Sequence, residues 1–274
     1  MSSSYDLSND DSYKSVENAS SSPTNETVYR LIGHLGFSKL TAHLGPLAEI
    51  RVADVGCYTG GTTIRWLYTG KALNKQSVVK VLGFDLHAAT IAEAHENYPD
   101  RPNLFFVQKP LNDPVPLIDG QLYHLMFAAF VVETISTFDD VKLLCSQLVD
   151  ALLSGGEIYF LRLHPQALKS GEAFQDYTLP QRETWAHGDT FPVRLAGHSK
   201  DLIDRFWEPE QLVQVFADLG CRAELIPIQG GVSPVIDELL MRFITATRLV
   251  EDMPEWTVPL YQIVRVVKPT TEIL

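Results

Sequence analysis

The sequence predicts an α/β fold with a mostly parallel sheet covered by helices on both faces. Two observations carry that prediction. Short, almost wholly apolar runs alternate with stretches of helical periodicity from Ile50 to Leu163, as strands buried on both faces require. The first such run also passes through a glycine-rich turn, Gly56-Cys57-Tyr58-Thr59-Gly60-Gly61, into helix-like sequence. There backbone N–H groups can approach a ligand closely.

Taken in order, residues 1 to about 25 are rich in Ser, Asn and Asp and read as a mobile tail. Tyr5 and Tyr13 interrupt it, either solvated or belonging to a lid that orders over ligand. Residues 26–274 read as one domain. Pro23-Thr24-Asn25-Glu26 looks like a helix start, and Val28, Leu31, Ile32 and Leu35 continue at helical spacing. A second short helix is predicted over Ser38–Leu44, ending at Gly45-Pro46. Strands are predicted at Arg51–Val55, Val78–Asp85, Leu104–Val107, Leu122–Ala129 and Glu157–Leu163. The helices between them are Gly61–Thr69, Ala88–Asn97 and Asp139–Leu153, the last ended by Gly155-Gly156, which opens the fifth strand.

Residues 164–207 break this rhythm with three prolines, three histidines and a cluster of aromatics. Phe191–Leu195 and Leu202–Trp207 read as a hairpin, so the segment is predicted to be a small cap inserted after strand five. Helix Pro209–Leu219 and strand Arg222–Pro227 resume the core. A helical insertion is predicted at about 229–257, where Val235–Val250 is amphipathic. The last strand, Val258–Val267, closes the chain.

Composition bounds the function. Across 274 residues, 22 Lys and Arg stand against 34 Asp and Glu, a net charge of −12. Such a surface repels phosphate backbones and anionic lipid, which argues against nucleic-acid and membrane partners. Three cysteines, far apart in sequence, form neither a disulfide framework nor a zinc pattern. With no signal-like N-terminus and no apolar run long enough to span a bilayer, a cytoplasmic location is expected. His87 and His95 are eight apart, and no His-Glu-x-x-His pattern occurs, so no metal is expected.

The order of motifs resembles the class I S-adenosylmethionine-dependent methyltransferases. Val52-Ala53-Asp54-Val55-Gly56-Cys57-Tyr58-Thr59-Gly60 is similar to their first motif. Gly83-Phe84-Asp85-Leu86 places an acidic residue at the end of strand two. Tyr123–Phe130 occupies the position of their fourth strand, and Leu152-Leu153-Ser154-Gly155-Gly156 that of the turn before their fifth. Phe206–Leu212 with Ala217-Asp218-Leu219-Gly220 is similar to their penultimate helix. The resemblance implies a Rossmann-like, seven-stranded sheet with a reversed last strand and S-adenosylmethionine as cofactor. It further implies that Asp54, Gly56, Cys57, Tyr58 and Gly60 line the methionine and ribose side. Asp85 with Leu86 would hold the ribose, Pro110 and Leu111 would flank the adenine, and Ala129 and Phe130 would lie beside the sulfonium. Two departures stand out. Tyr58 replaces the middle glycine, and Lys109-Pro110-Leu111 replaces Gly-Asp-Ala, removing the usual carboxylate for the adenine amino group. A backbone N–H, such as that of Leu111, or the side chain of Asn112 or Asp113, can stand in.

For methyl transfer, a base is needed only when the acceptor must lose a proton. Glu133, just past strand four, and His164, at the end of strand five, are the catalytic candidates. Tyr13, Trp185 and His187 are candidates for acceptor contact. The expected activity is methylation of a small molecule, a secondary metabolite, at an oxygen, nitrogen or carbon, by a possible homodimer. Two alternatives remain. One is an S-adenosylmethionine-binding protein or enzyme that transfers no methyl group. The other is an NAD(P)-dependent oxidoreductase, which calls for a Gly-x-Gly-x-x-Gly turn and a parallel last strand.

Overall fold

The computed structural model describes residues 23–170, 177–195, 201–228 and 259–270. The tail to residue 22, with Tyr13, and the expected 235–250 helix lie outside the described residues. The chain enters as one helix, α1 (Pro23–Leu44), so residues 23–25 belong to a helix rather than to the tail. The two helices expected here are also one. Phe37 and Leu40 extend the buried face begun by Val28, Leu31 and Ile32, and Thr41 Oγ1 donates to the Phe37 carbonyl instead of capping a new start. Gly33 and Gly36 do not break this helix. They let it approach its neighbours, because a Cβ would lie 2.9 Å from Trp66 of the following helix at the first and 2.8 Å from Phe127 of the sheet at the second.

The core alternates as expected: β1 (Glu49–Val55), α2 (Gly61–Leu73), β2 (Val78–Asp85), α3 (Ala88–Asn97), β3 (Leu104–Gln108), β4 (Tyr123–Ala129), α4 (Phe138–Asp150) and β5 (Leu152–Leu163). After β5 come α5 (Pro165–Ser170), β6 (Tyr177–Thr178), β7 (Thr190–Leu195) and β8 (Asp201–Arg205). α6 (Pro209–Asp218), β9 (Arg222–Ile228) and β10 (Tyr261–Val267) follow. The main sheet has seven strands in the order β3-β2-β1-β4-β5-β10-β9. Only β10 is reversed, running antiparallel to both neighbours. β6, β7 and β8 form a separate three-stranded antiparallel sheet.

The glycine pair differs from expectation. β5 begins at Leu152, and Gly155-Gly156 lies within it. Gly155 adopts φ +78 and donates its N–H to the Lys268 carbonyl, while the Gly156 carbonyl accepts from Lys268 N–H. The pairing of β4 with β5 slips at this point, from Tyr123↔Leu152 to Leu125↔Glu157. A left-handed glycine inside a strand is the backbone signature of such a slip, not of a helix end.

Both faces of the sheet are covered. Val52, Val81, Leu125 and Phe127 pack with α1 and α2 on one side, where Trp66 stacks on Phe127 at 4.3 Å. Val55, Leu82, Met126 and Phe160 pack with α4 and α6 on the other. This double burial explains the unbroken apolar strands. No helix among the described residues is long and apolar enough to cross a membrane.

Candidate active site

The strand order reverses between β1 and β4, and the loops leaving the C-terminal ends of the parallel strands meet there. In such sheets this crevice is the ligand site. The loop after β1 is clamped from below, since Gly56 and Cys57 both donate to the Phe84 carbonyl at 2.9 and 3.1 Å. The Cys57 side chain turns inward, 2.9 Å from where a Cβ on Gly83 would stand. Burial pushes its thiol well above the ordinary range, so this residue can offer a ligand only its backbone. Tyr58 holds φ +53, the left-handed conformation a glycine would adopt freely. The Tyr side chain therefore stands in for glycine without displacing the backbone, and its N–H reaches the Asp85 carboxylate. Gly60, at φ +88, starts α2, which carries no side-chain cap. Uncapped N–H groups at a helix start favour an anionic ligand group.

The two acidic residues do different work. Asp54 is buried and accepts from Thr62 Oγ1 (2.6 Å), Thr63 Oγ1 (2.7 Å) and Trp66 Nε1 (3.0 Å). Burial pushes its carboxyl up to about 6 against the pull of those donors. Its lone pairs are thus largely spent on fastening the first turn of α2 to β1. Among the described residues Asp85 accepts two backbone N–H groups, from Tyr58 (3.1 Å) and His87 (3.0 Å), one on each oxygen, with the Thr90 hydroxyl beside it. A carboxylate offers about four acceptor positions, so each Asp85 oxygen retains capacity for a ligand hydroxyl. Burial raises its pKa, and the two backbone donors oppose that rise. Leu86, beside it, is exposed.

After β3, Lys109 N–H donates to the Asp85 carbonyl, so the loop Lys109–Leu111 starts against the same strand end. The Lys109 side chain turns inward, nearly fully buried. After β4, Ala129 is half-buried, and Phe130 takes φ +56 while donating its N–H to the Leu161 carbonyl. Its ring lies 5.7 Å from that of Tyr261. Val131 then packs beneath the first loop, with Cγ2 only 2.6 Å from where a Cβ on Gly56 would sit. Gly56, Tyr58, Gly60, Asp85, Leu86, Pro110, Leu111, Ala129 and Phe130 therefore all stand on the loops or strand ends at this one edge of the sheet.

Glu133 lies in a short 3₁₀ turn, Val132–Thr134, and is 2 % exposed. Its Oε1 is 3.4 Å from Nε of Arg162, an equally buried residue near the end of β5. The contact is an ion pair without hydrogen-bond geometry, and among the described residues neither Glu133 oxygen meets a hydrogen-bond donor. Burial raises the Glu133 pKa to about 7 against the pull of Arg162, with Asp204 of β8 pushing it the same way as burial. Arg162 Nη2 donates to the Trp207 carbonyl, and Trp207 Nε1 donates to the Val132 carbonyl at 2.8 Å. This cluster ties β4, β5 and the strands after β5 together. His164 follows on β5, half-buried. Its Nδ1 accepts from Gln166 N–H at 3.1 Å, which leaves the proton on Nε2. Burial, then Arg162, lowers its pKa. His164 thus has Nδ1 engaged by the backbone and Nε2 left to face a partner.

Trp185 and His187 lie in the three-stranded region. Trp185 packs on Phe191 and Phe206, donates Nε1 to the Leu168 carbonyl and carries Arg182 over its ring at 5.1 Å. His187 Nδ1 accepts from Glu208 N–H, and its ring meets the face or edge of Phe138 at 4.3 Å and Trp207 at 5.0 Å. Both are engaged in joining this region to the core. The sequence reading missed the partners: Thr62, Thr63 and Trp66 around Asp54, the inward turn of Lys109, and Arg162 against Glu133. Only an apolar strand interrupted by one arginine, Phe160-Leu161-Arg162-Leu163, hinted at a buried cation. Among the described residues, no group of three or more His, Cys, Asp or Glu could hold a metal ion.

Comparison with solved structures decides the fold. The chain is similar to the plantazolicin methyltransferase BpumL in complex with S-adenosylhomocysteine, with a TM-score of 0.62 at 14 % identity over 96 % of this chain and 92 % of that one. It is also similar to an S-adenosylmethionine-bound amino pentose methyltransferase from Micromonospora echinaspora, with a TM-score of 0.59 at 15 % identity over 93 % and 96 %. This is the Rossmann-like methyltransferase fold. A methyltransferase from Methanosarcina mazei shares it, with a TM-score of 0.53 at 10 % identity over 82 % and 95 % of the two chains. No family model and no curated protein matches the sequence. The first of these structures holds S-adenosylhomocysteine and the second S-adenosylmethionine. Asp85 retains acceptor capacity for a diol, the start of α2 has no side-chain cap, and Cβ-free Gly56 and Gly60 keep the loop close to its neighbours.

Proposed function

We propose that this protein is an S-adenosylmethionine-dependent methyltransferase acting on a small molecule. The observation that carries the reading is the Asp85 carboxylate. It is anchored by Tyr58 and His87 N–H groups and retains acceptor capacity, at the end of β2 beside the uncapped start of α2. A vicinal diol and an α-carboxylate are the ligand groups for which these two features are built. The bound cofactor supplies an electrophilic methyl group on a positively charged sulfur.

This chain's residues then have three tasks: to align the acceptor in line with that group, to exclude water, and to remove a proton where the acceptor carries one. Glu133 is the base in this reading, because a carboxyl held near pKa 7 matches neutral pH. Arg162 holds it in place. His164 Nε2 donates a hydrogen bond to the acceptor. The β6–β8 sheet is the cap of a single domain, with Trp185 and His187 setting its position. The net charge of −12 fits a neutral or cationic small molecule, including a secondary metabolite, better than nucleic acid or an anionic membrane. A cytoplasmic enzyme, working alone or as a homodimer, fits the same composition.

The reversed β10 weighs against a nicotinamide-dependent oxidoreductase, whose sheet order calls for a parallel strand there. Titration calorimetry with S-adenosylmethionine, S-adenosylhomocysteine and NADH tests the reading. Binding of the first two and not the third is expected, followed by S-adenosylhomocysteine release when an acceptor is present. Binding of NADH alone would overturn it. Binding of S-adenosylmethionine with no turnover across a broad panel of acceptors would favour a non-methylating role.

A further inference from the structure

The loop after β3 lacks the carboxylate that the resemblance leads one to expect, and the structure shows what occupies its place. Lys109 is 5 % exposed. Its ammonium group has three N–H donors and meets three acceptors: the Pro110 carbonyl at 3.2 Å, the Leu111 carbonyl at 3.3 Å and Gln147 Oε1, on α4, at 2.8 Å. Gln147 Nε2 returns to the Leu111 carbonyl at 3.0 Å. The loop is thus fastened on both sides. Its first N–H is bound to the carbonyl of Asp85, and its next two carbonyls are bound to a buried cation and an amide braced on α4. Burial of the ammonium opposes its charge and lowers its pKa, against the pull of the nearby Asp113 carboxylate.

The direction of those carbonyls has a consequence. In a trans peptide the C=O and the following N–H point to opposite sides, and no cis peptide bond occurs among the described residues. With the Pro110 and Leu111 carbonyls drawn toward Lys109, the N–H groups of Leu111 and Asn112 face away from it. These two peptide groups therefore present their donors and turn their acceptors toward Lys109. A purine ring nitrogen is an acceptor that these N–H groups can read, whereas an exocyclic amino group is a donor toward which neither the Pro110 nor the Leu111 carbonyl is turned.

We infer that Lys109, with Gln147, is a positioning residue for the cofactor's base, so that the site recognises a ring nitrogen of adenine and is nearly indifferent to its amino group. This rests on the reading of the crevice as an S-adenosylmethionine site, and the test separates the two. Calorimetry is run on the full chain with S-adenosylhomocysteine, with its 6-deamino (purine) analogue and with its 1-deaza and 3-deaza analogues. In the wild type, removal of the amino group is expected to weaken binding less than threefold. At least one deaza analogue is expected to weaken it tenfold or more.

In Lys109→Met, S-adenosylhomocysteine is expected to bind about tenfold more weakly, and the deaza penalty to shrink below threefold, because the donors are no longer held in place. A merely structural lysine would lower the unfolding temperature and leave that ratio intact. A tenfold loss on deamination, or an unchanged deaza ratio in a folded Lys109→Met protein, would overturn the inference. If Lys109→Met does not fold, the wild-type series decides by the deamination and deaza results alone. Failure of the wild type to bind S-adenosylhomocysteine at all would instead refute the cofactor reading.

Discussion

Glu133→Gln should change how stability responds to pH. Glu133 is buried beside Arg162, and burial lifts its pKa from 4.5 to about 7. A carboxyl whose folded pKa lies above its unfolded value keeps its proton longer in the folded state. Its contribution to stability is therefore full below the unfolded pKa and is lost as pH rises through the folded one. With those two values, linkage gives a loss of about 2.5 kcal/mol from this one group between about pH 5 and about pH 8. Gln does not titrate and loses nothing over that interval. Removing the anion also leaves Arg162 as a buried cation without its partner, which destabilises the variant. That cost is nearly constant across the interval, because Arg162 stays protonated, and it cancels when each protein is compared with itself. Urea unfolding of wild type and variant at the two pH values yields the difference of differences. The wild type should lose about 2.5 kcal/mol more than Glu133→Gln on going to the higher pH. Parallel pH profiles would show that Glu133 is ionised throughout, with Arg162 outweighing burial, and would remove the ground for treating it as a base poised near neutrality.

Three further perturbations test the crevice. Asp85→Ala should weaken S-adenosylhomocysteine by about 1–3 kcal/mol in calorimetry, since it removes the acceptor for a ligand diol and for two backbone N–H groups; unchanged affinity would place the ribose elsewhere. Gly56→Ala should destabilise the fold by about 2–5 kcal/mol in thermal or urea unfolding, because it combines a left-handed alanine with overpacking, its Cβ lying 2.6 Å from Val131 Cγ2. A wild-type unfolding midpoint would mean that Val131 swings away freely. His187→Ala should lower stability by about 1 kcal/mol, the worth of the Glu208 N–H bond, while S-adenosylhomocysteine affinity stays within twofold; a large loss of affinity would put His187 in the ligand site.

What was legible in the sequence was whatever a local pattern encodes. β2 and α3 fall on the residues expected, because an apolar run ending in Asp85 and a short helix bounded by His87 and Tyr98 are set by neighbours in the chain. The reversed last strand followed from the resemblance, not from any residue in Tyr261–Val267. The misreadings concern glycines whose reasons are non-local. Gly33 and Gly36 sit within a helix because of Trp66 and Phe127, and Gly155 is left-handed because of a slip against β4 and a bond to Lys268. The site was legible as a set of strand ends but not as a set of partners. Nothing near Asp54 in sequence shows that three donors of α2 will occupy it, and Glu133 and Arg162 meet only across two strands.

The two departures from the family pattern turn out to share an anchor. Tyr58 occupies a glycine's conformation, and its N–H is held by the Asp85 side chain. Lys109 occupies the start of a loop without its acid, and its N–H is held by the Asp85 main chain. Asp85 thus fastens the loops on either side of it while keeping acceptor capacity on both carboxylate oxygens. A left-handed tyrosine costs about 1–2 kcal/mol relative to glycine, and one charge-assisted hydrogen bond to a carboxylate contributes about as much. The substitution at position 58 is tolerable because the carboxylate at position 85 offsets it. It follows that the two positions are coupled. Tyr58→Gly alone should stabilise the fold, since it removes the left-handed strain and keeps the backbone N–H bonded to Asp85. In a double-mutant cycle with Asp85→Ala, followed by unfolding free energy, the double variant should be less stable than the sum of the single changes by about 1 kcal/mol, because a loop released from Asp85 relaxes the tyrosine strain that glycine would otherwise remove. Strict additivity would show that the two loops are held independently.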